Sequence, residues 1–89
     1  MAADVAKSPY IFAAQGDVIA KQMHVSCIRV VNGANAGTVL LKDKSSGRDV
    51  YRYTTMAANA VDDFFGVDKL DGLYVDTIPS GCYIYVYVK

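Results

Sequence analysis

Seven glycines divide this chain of 89 residues. Gly16, Gly33, Gly37, Gly47, Gly66, Gly72 and Gly81 all fall between short runs rich in Val, Ile, Tyr and Thr. Glycine admits the positive φ that tight turns need, and β-rich runs punctuated in this way specify a sandwich or barrel. Strands are expected near 9–13, 17–21, 23–32, 38–43, 49–55, 60–65, 72–77 and 82–88. The fold class predicted is therefore all-β: a small antiparallel β-sandwich or barrel, jelly-roll or Ig-like, of about 7–8 short strands. All nine acidic residues are Asp and none is Glu, which suits turns and strand ends better than helices.

The clearest hairpin is TVLLKDKSSGRDVYRYTT, with Asp43 to Gly47 as its turn. TTMAANAVDDFFG admits two readings. It fits a short helix with Thr55 as N-cap and Gly66 past the end, or a turn at Asn59 followed by a strand. Asp62 and Asp63 would lie near the helix C-terminus, where the dipole disfavours negative charge, so the strand is preferred. SGRDVYRY and SGCYIYVY share a Ser-Gly start and Tyr at the same later positions. Two copies do not make a solenoid.

A chain of this length builds one domain. Residues 1–8 are expected to form a flexible N-terminal arm, with too little apolar surface to anchor itself, ahead of a single β domain over 9–89. A domain this small buries only about two-thirds of its unfolded surface and usually needs reinforcement. Yet 53% of its residues are hydrophobic, an excess that favours burial against other chains.

The longest apolar run, Cys82 to Val88, is seven residues, against roughly 20 for a membrane helix. The start of the chain lacks a signal peptide's basic region and apolar core. The expectation is synthesis in a reducing cytoplasm with Cys27 and Cys82 as free thiols. Two cysteines without a CxxC supply too few ligands for a metal. Net charge is zero, although residues 56–89 hold Asp62, Asp63, Asp68, Asp71 and Asp76 against Lys69 and Lys89. Their spacing fits no calcium loop, so no cofactor is expected.

Catalytic groups are scarce. The one histidine, His24, precedes Ser26 and Cys27 in MHVSCIRVV, but a dyad needs an orienting group and an oxyanion site as well. In a regular strand Cys27 also points to the face opposite His24. No enzymatic activity is expected. Lys42, Lys44, Arg48 and Arg52 interleave with Tyr51 and Tyr53 on the hairpin, a combination that single-strand binding uses. The neutral net charge speaks against a nucleic-acid partner.

Seven tyrosines and no Trp remain to be explained. Tyr51 and Tyr53, then Tyr83, Tyr85 and Tyr87, stand at alternating positions. In CYIYVYV one strand face is aliphatic and the other aromatic. Tyrosine combines a large flat area with a hydroxyl that tolerates partial wetting, which suits protein interfaces and sugar platforms. A semi-exposed sheet face with cross-strand tyrosine pairs accounts for the pattern without a partner. A protein interface made by Tyr83, Tyr85, Tyr87, Tyr51 and Tyr53 is the reading preferred here.

IRVVNGANAGTVLLKD followed by LDGLYVDTIPSGCYIYVYVK resembles the small all-β virion structural proteins of tailed bacteriophages, of the capsid decoration or cement kind. The resemblance rests on Val31–Gly33, Ala36–Val39 and Gly72–Val75 and spans residues 27–89. It implies a virion protein on the capsid surface, bound to the major capsid protein as a homo-oligomer, with a trimer fitting threefold positions of the shell. It implies no active site. Two other functions stay open: a host-surface glycan-binding or fibre-associated module, and a small intracellular regulator acting by protein–protein binding.

Overall fold

In the computed structural model, which describes residues 9–65 and 69–88, the Gly- and Asp-rich breaks separate strands and none of the described residues is helical. The strands are β1 (Tyr10–Phe12), β2 (Val18–Ile19), β3 (Met23–Val31), β4 (Gly37–Asp43), β5 (Asp49–Met56), β6 (Val61–Phe65), β7 (Lys69–Leu70), β8 (Leu73–Thr77) and β9 (Tyr83–Val88). All eight expected strands are present, and β7 is an addition two residues long. The expected N-terminal arm lies outside the described residues.

Every pairing is antiparallel. Sheet A has the order β1-β9-β3-β6, and β7 pairs with the start of β3. Sheet B has the order β2-β8-β4-β5. With β7 set aside, the first strand pairs with the last, the second with the next to last, and so inward to the β4–β5 hairpin. This nested pairing is that of a long hairpin wound upon itself, the jelly roll. The architecture is thus a sandwich and not a barrel, and its strand order is not that of an immunoglobulin domain.

Period-two alternation fills the space between the sheets. Ile84 and Val86 on β9, Val39 and Leu41 on β4, and Leu73 and Val75 on β8 are buried in one core cluster. Cys82 joins them as a small hydrophobe. At the hairpin, the Asp43 carboxylate accepts hydrogen bonds from the amide and hydroxyl of Ser45, and Gly47 takes a positive φ of 71°. Asn59 also has positive φ, 61°, a conformation Asn tolerates better than most residues. It closes the turn into β6 and excludes the helix that this segment also allowed.

β3 departs from regular alternation. Val25 pairs with Val88 but Cys27 pairs with Tyr87, which leaves Ser26 as an extra residue in a β-bulge. The Ser26 hydroxyl donates to the Tyr87 carbonyl, 3.1 Å away. The bulge reverses the parity of the strand, so Met23 and Val25 before it and Ile28 and Val30 after it are all buried. A regular strand would put Cys27 on the face of Val25 and opposite His24. That expectation fails here: Val25 points inward, and Cys27 points outward with Arg29 and Val31.

At one end of the sandwich three connections meet on Asn32, which is buried. Its side-chain amide donates to the carbonyls of Asn35 and Ala57, both at 2.9 Å, and its side-chain oxygen accepts from the Gly33 amide. The Asn59 amide donates to the Gly33 carbonyl at 2.7 Å. A Cβ on Gly33 would stand 2.6 Å from the backbone oxygen of Gly81. Asn32→Ala should therefore lower stability by about 1–3 kcal/mol through unpaired buried groups. Gly33→Ala should cost about 1–3 kcal/mol through overpacking against backbone. Denaturant unfolding of both variants checks this, with an exposed Ala34→Ser change expected to be neutral.

Candidate functional site

The register of sheet A builds its outer face row by row. One row holds Tyr83, Val31 and Val61 on β9, β3 and β6. The next holds Ile11, Tyr85, Arg29 and Asp63, and the third Tyr87, Cys27 and Phe65. Of these ten outward residues only Arg29 and Asp63 are charged. Phe65 is 67% exposed, Ile11 and Val61 57%, and Tyr83 49%. None of the three β9 tyrosine hydroxyls hydrogen-bonds to a described residue.

Sheet B presents a different outer surface. Thr38, Leu40 and Lys42 on β4, Arg52 and Thr54 on β5, Tyr74 on β8 and Val18 on β2 face away from the core, and Arg52 is paired with Asp49 at 2.9 Å. An antiparallel sandwich ordinarily wets both outer faces in this manner. Strands about 4.8 Å apart and rows about 7 Å apart give the ten outward residues about 340 Å² in all, with the Arg29–Asp63 pair in the middle row. That is the size of the largest patch on an ordinary monomer, and such patches are often functional.

Arg29 and Asp63 neutralise each other within the face. The guanidinium holds the carboxylate through two hydrogen bonds, at 2.7 and 3.0 Å. These bonds keep the Asp63 carboxyl below its ordinary range, outweighing a smaller opposing effect of desolvation. Arg29 is drawn sideways towards β6, leaving the smaller Cys27 and Val31 beside the tyrosines of β9. Burial, and secondarily the charge of Asp63, pushes the Cys27 thiol upward. Cys82 is raised by burial alone.

The five tyrosines expected to act together are split. Tyr83, Tyr85 and Tyr87 share the outer face of sheet A. Tyr51 points inward from β5, is 5% exposed, and donates from its hydroxyl to Asp62 at 2.6 Å. Its ring also meets Phe64 with centroids 5.6 Å apart. These contacts join sheet B to sheet A along the β5–β6 side, so Tyr51 is a structural bridge. Tyr53, two residues on, is partly exposed at the same margin. The basic residues of the hairpin do not share a face with these tyrosines, which separates the combination that suggested nucleic acid.

Asp62 and Asp63 point to opposite faces, as their adjacency requires, and each has a partner. No group of three potential metal ligands occurs among the described residues. Charges on β6 also guard this edge against strand addition. His24 lines an open cleft of about 250 Å³ with Tyr10, Lys21, Gln22, Met23 and Val88. It hydrogen-bonds to neither Ser26 nor Cys27. No helix among the described residues is long and apolar enough to cross a membrane.

Tyr51→Phe should lower stability by about 1.5–3 kcal/mol, the loss of a hydrogen bond to a charged group. Tyr85→Phe should change it by less than about 0.5 kcal/mol. Thermal melts of the two variants distinguish bridge from surface. Both thiols are free and protonated at neutral pH, so both should react slowly with a disulfide reagent in native protein. Denaturation should release two thiols without reductant, and a zero count would show a disulfide. No family model, characterised protein or solved structure matches this chain, and the reading of its outer face rests on the residues that form it.

Proposed function

We propose that this chain is a non-enzymatic structural protein of a phage virion, of the capsid decoration kind, acting through protein contacts made by the outer face of sheet A. The observation that carries the reading is the asymmetry of the two outer faces. Sheet B sets Lys42, Arg52, Thr38 and Thr54 beside Val18 and Leu40, whereas sheet A shows eight apolar or aromatic residues around one ion pair already satisfied within the chain. Jelly rolls recur in viral capsid domains and in lectins, and a fold alone does not choose between them. The composition of the face favours protein over sugar. Its tyrosines lie among Ile11, Val31, Val61 and Phe65, and its only charged hydrogen-bonding groups are engaged with each other. The resemblance over residues 27–89 supplies the virion context.

Mass spectrometry of purified particles should find the chain at a fixed stoichiometry to the major capsid protein; its absence from particles would overturn the reading. The role of the face is tested separately. Replacing Tyr85 and Tyr87 together with Ser should weaken particle attachment or self-association by about 2 kcal/mol or more per interface tyrosine. Stability should fall by only about 0.2–1 kcal/mol per cross-strand pair. Ile84→Ala and Val86→Ala should show the reverse, because each opens a cavity in the core. Co-pelleting and thermal melts read the two effects. If the double Tyr variant pellets and self-associates like the parent, the aromatic face is exposed sheet and nothing more.

A further inference from the structure

Two structural demands meet where Asn32 gathers the connections at one end of the sandwich. Asn32 is needed because its side chain serves the carbonyls of Asn35 and Ala57 and the amide of Gly33. Gly33 is needed because a Cβ there would stand 2.6 Å from the Gly81 oxygen. Together they create an Asn–Gly pair, whereas the other two asparagines, Asn35 and Asn59, precede alanine. With no side chain on the following residue, the backbone can bring its nitrogen onto the asparagine carboxamide without crowding. We infer that Asn32 is a site of spontaneous deamidation, held shut by the folded end of the sandwich and released when that end opens. This goes beyond the proposed function and does not depend on what sheet A meets.

The reaction needs only water and base from the solvent. The Gly33 nitrogen loses its proton and bonds to Cγ of Asn32, and Nδ2 takes up a proton and leaves as ammonia. Water then opens the five-membered succinimide. Attack at Cγ leaves an aspartate at position 32, and attack at the main-chain carbonyl carbon leaves an isoaspartyl link. In the closed fold each participant is engaged. Asn32 is 4% exposed. The Gly33 N–H donates to Asn32 Oδ1 at 2.9 Å. Nδ2 is held by the carbonyls of Asn35 and Ala57, both at 2.9 Å, with that of Met56 at 3.4 Å. On either side, the Asn32 amide donates to the Ala60 carbonyl and the Asn59 amide to the Gly33 carbonyl. Ring closure has to turn Cγ towards the Gly33 nitrogen and so breaks the bonds to Asn35 and Ala57. The step therefore waits for local opening. Its product does not close again. A carboxylate has no N–H to offer those carbonyls, and burying it unpaired among them is costly. The isoaspartyl link lengthens the main chain where Gly33 passes Gly81. Opening is thus made permanent by the chemistry of the open state.

The test is peptide mass mapping of the chain incubated in mildly alkaline buffer, native and in guanidinium chloride, with deamidation read as –NH2 replaced by –OH. In denaturant Asn32 should deamidate ahead of Asn35 and Asn59. In the native chain it should react more slowly than in denaturant by about tenfold or more, the factor set by about 1.4 kcal/mol of opening. Asn59→Ala forces a less tolerant residue into the positive φ of 61°. It should raise the native rate at Asn32 by about threefold or more and leave the rate in denaturant unchanged. Asn59→Gly takes that φ freely and should keep the native rate. Melting curves confirm that each variant is folded, and Gly81→Ala, strained at a φ of 82°, replaces Asn59→Ala if the latter is not. Asn32→Asp, which reproduces one product, should melt below the parent. An Asn32 no faster than Asn35 in denaturant means that there is no such site, and equal native and denatured rates mean that the fold does not hold it shut. An unchanged rate in Asn59→Ala, or an Asn32→Asp chain as stable as the parent, equally overturns the inference.

Discussion

One extra residue in β3 decides what this protein shows to its surroundings. Without the bulge at Ser26, the strand would place Met23, Val25, Cys27, Arg29 and Val31 on one face. An arginine would then compete for the core, or Met23 and Val25 would be stranded outside. The bulge lets four apolar residues enter the core from both halves of the strand. It delivers Cys27, Arg29 and Val31 to the outer face in register with the tyrosines of β9. The hydrogen bond from Ser26 to the Tyr87 carbonyl ties the irregularity to the strand whose neighbour it repositions.

Much of the fold was legible because local chemistry and global pairing agree. Gly47 and Asn59 mark turns whose conformations these residues favour, and Cys82, Ile84 and Val86 alternate inward as period two requires. What was not legible depends on pairing across long stretches of sequence. Alternation gives Tyr51 and Tyr83 the same status, since it reports a face but not which sheet, or which side of it, the face belongs to. Only the approach of β6 to β5 makes Tyr51 a buried bridge to Asp62. Likewise Arg29 and Asp63 carry no sequence mark of their pairing. The bulge itself is invisible to a periodicity argument, which assumes that no residue is skipped.

The two sheets divide the labour of a small domain. Sheet B gives most of its outer positions to charged and hydroxyl side chains, Lys42, Arg52, Thr38 and Thr54 among them. Sheet A withholds them, and so carries the apolar excess that the composition announces. The Asn32 knot at one end and the Tyr51 bridge along one side hold the sheets together with polar groups that are fully partnered; no buried side-chain nitrogen or oxygen among the described residues lacks a hydrogen bond. The core therefore does not depend on the outer face being covered.

The nested strand order bears on how such a chain is made. β9 lies in the interior of sheet A between β1 and β3, and its register joins Tyr10 to Val86. During synthesis β1 and β3 emerge early; β3 can pair with β6, but β1 meets its partner strand only once Tyr83–Val88 exist. The nascent chain therefore passes most of its elongation, at about 5–20 residues per second, with its sheets incomplete and their edges open. Long-range pairing of this kind also slows folding once the chain is whole.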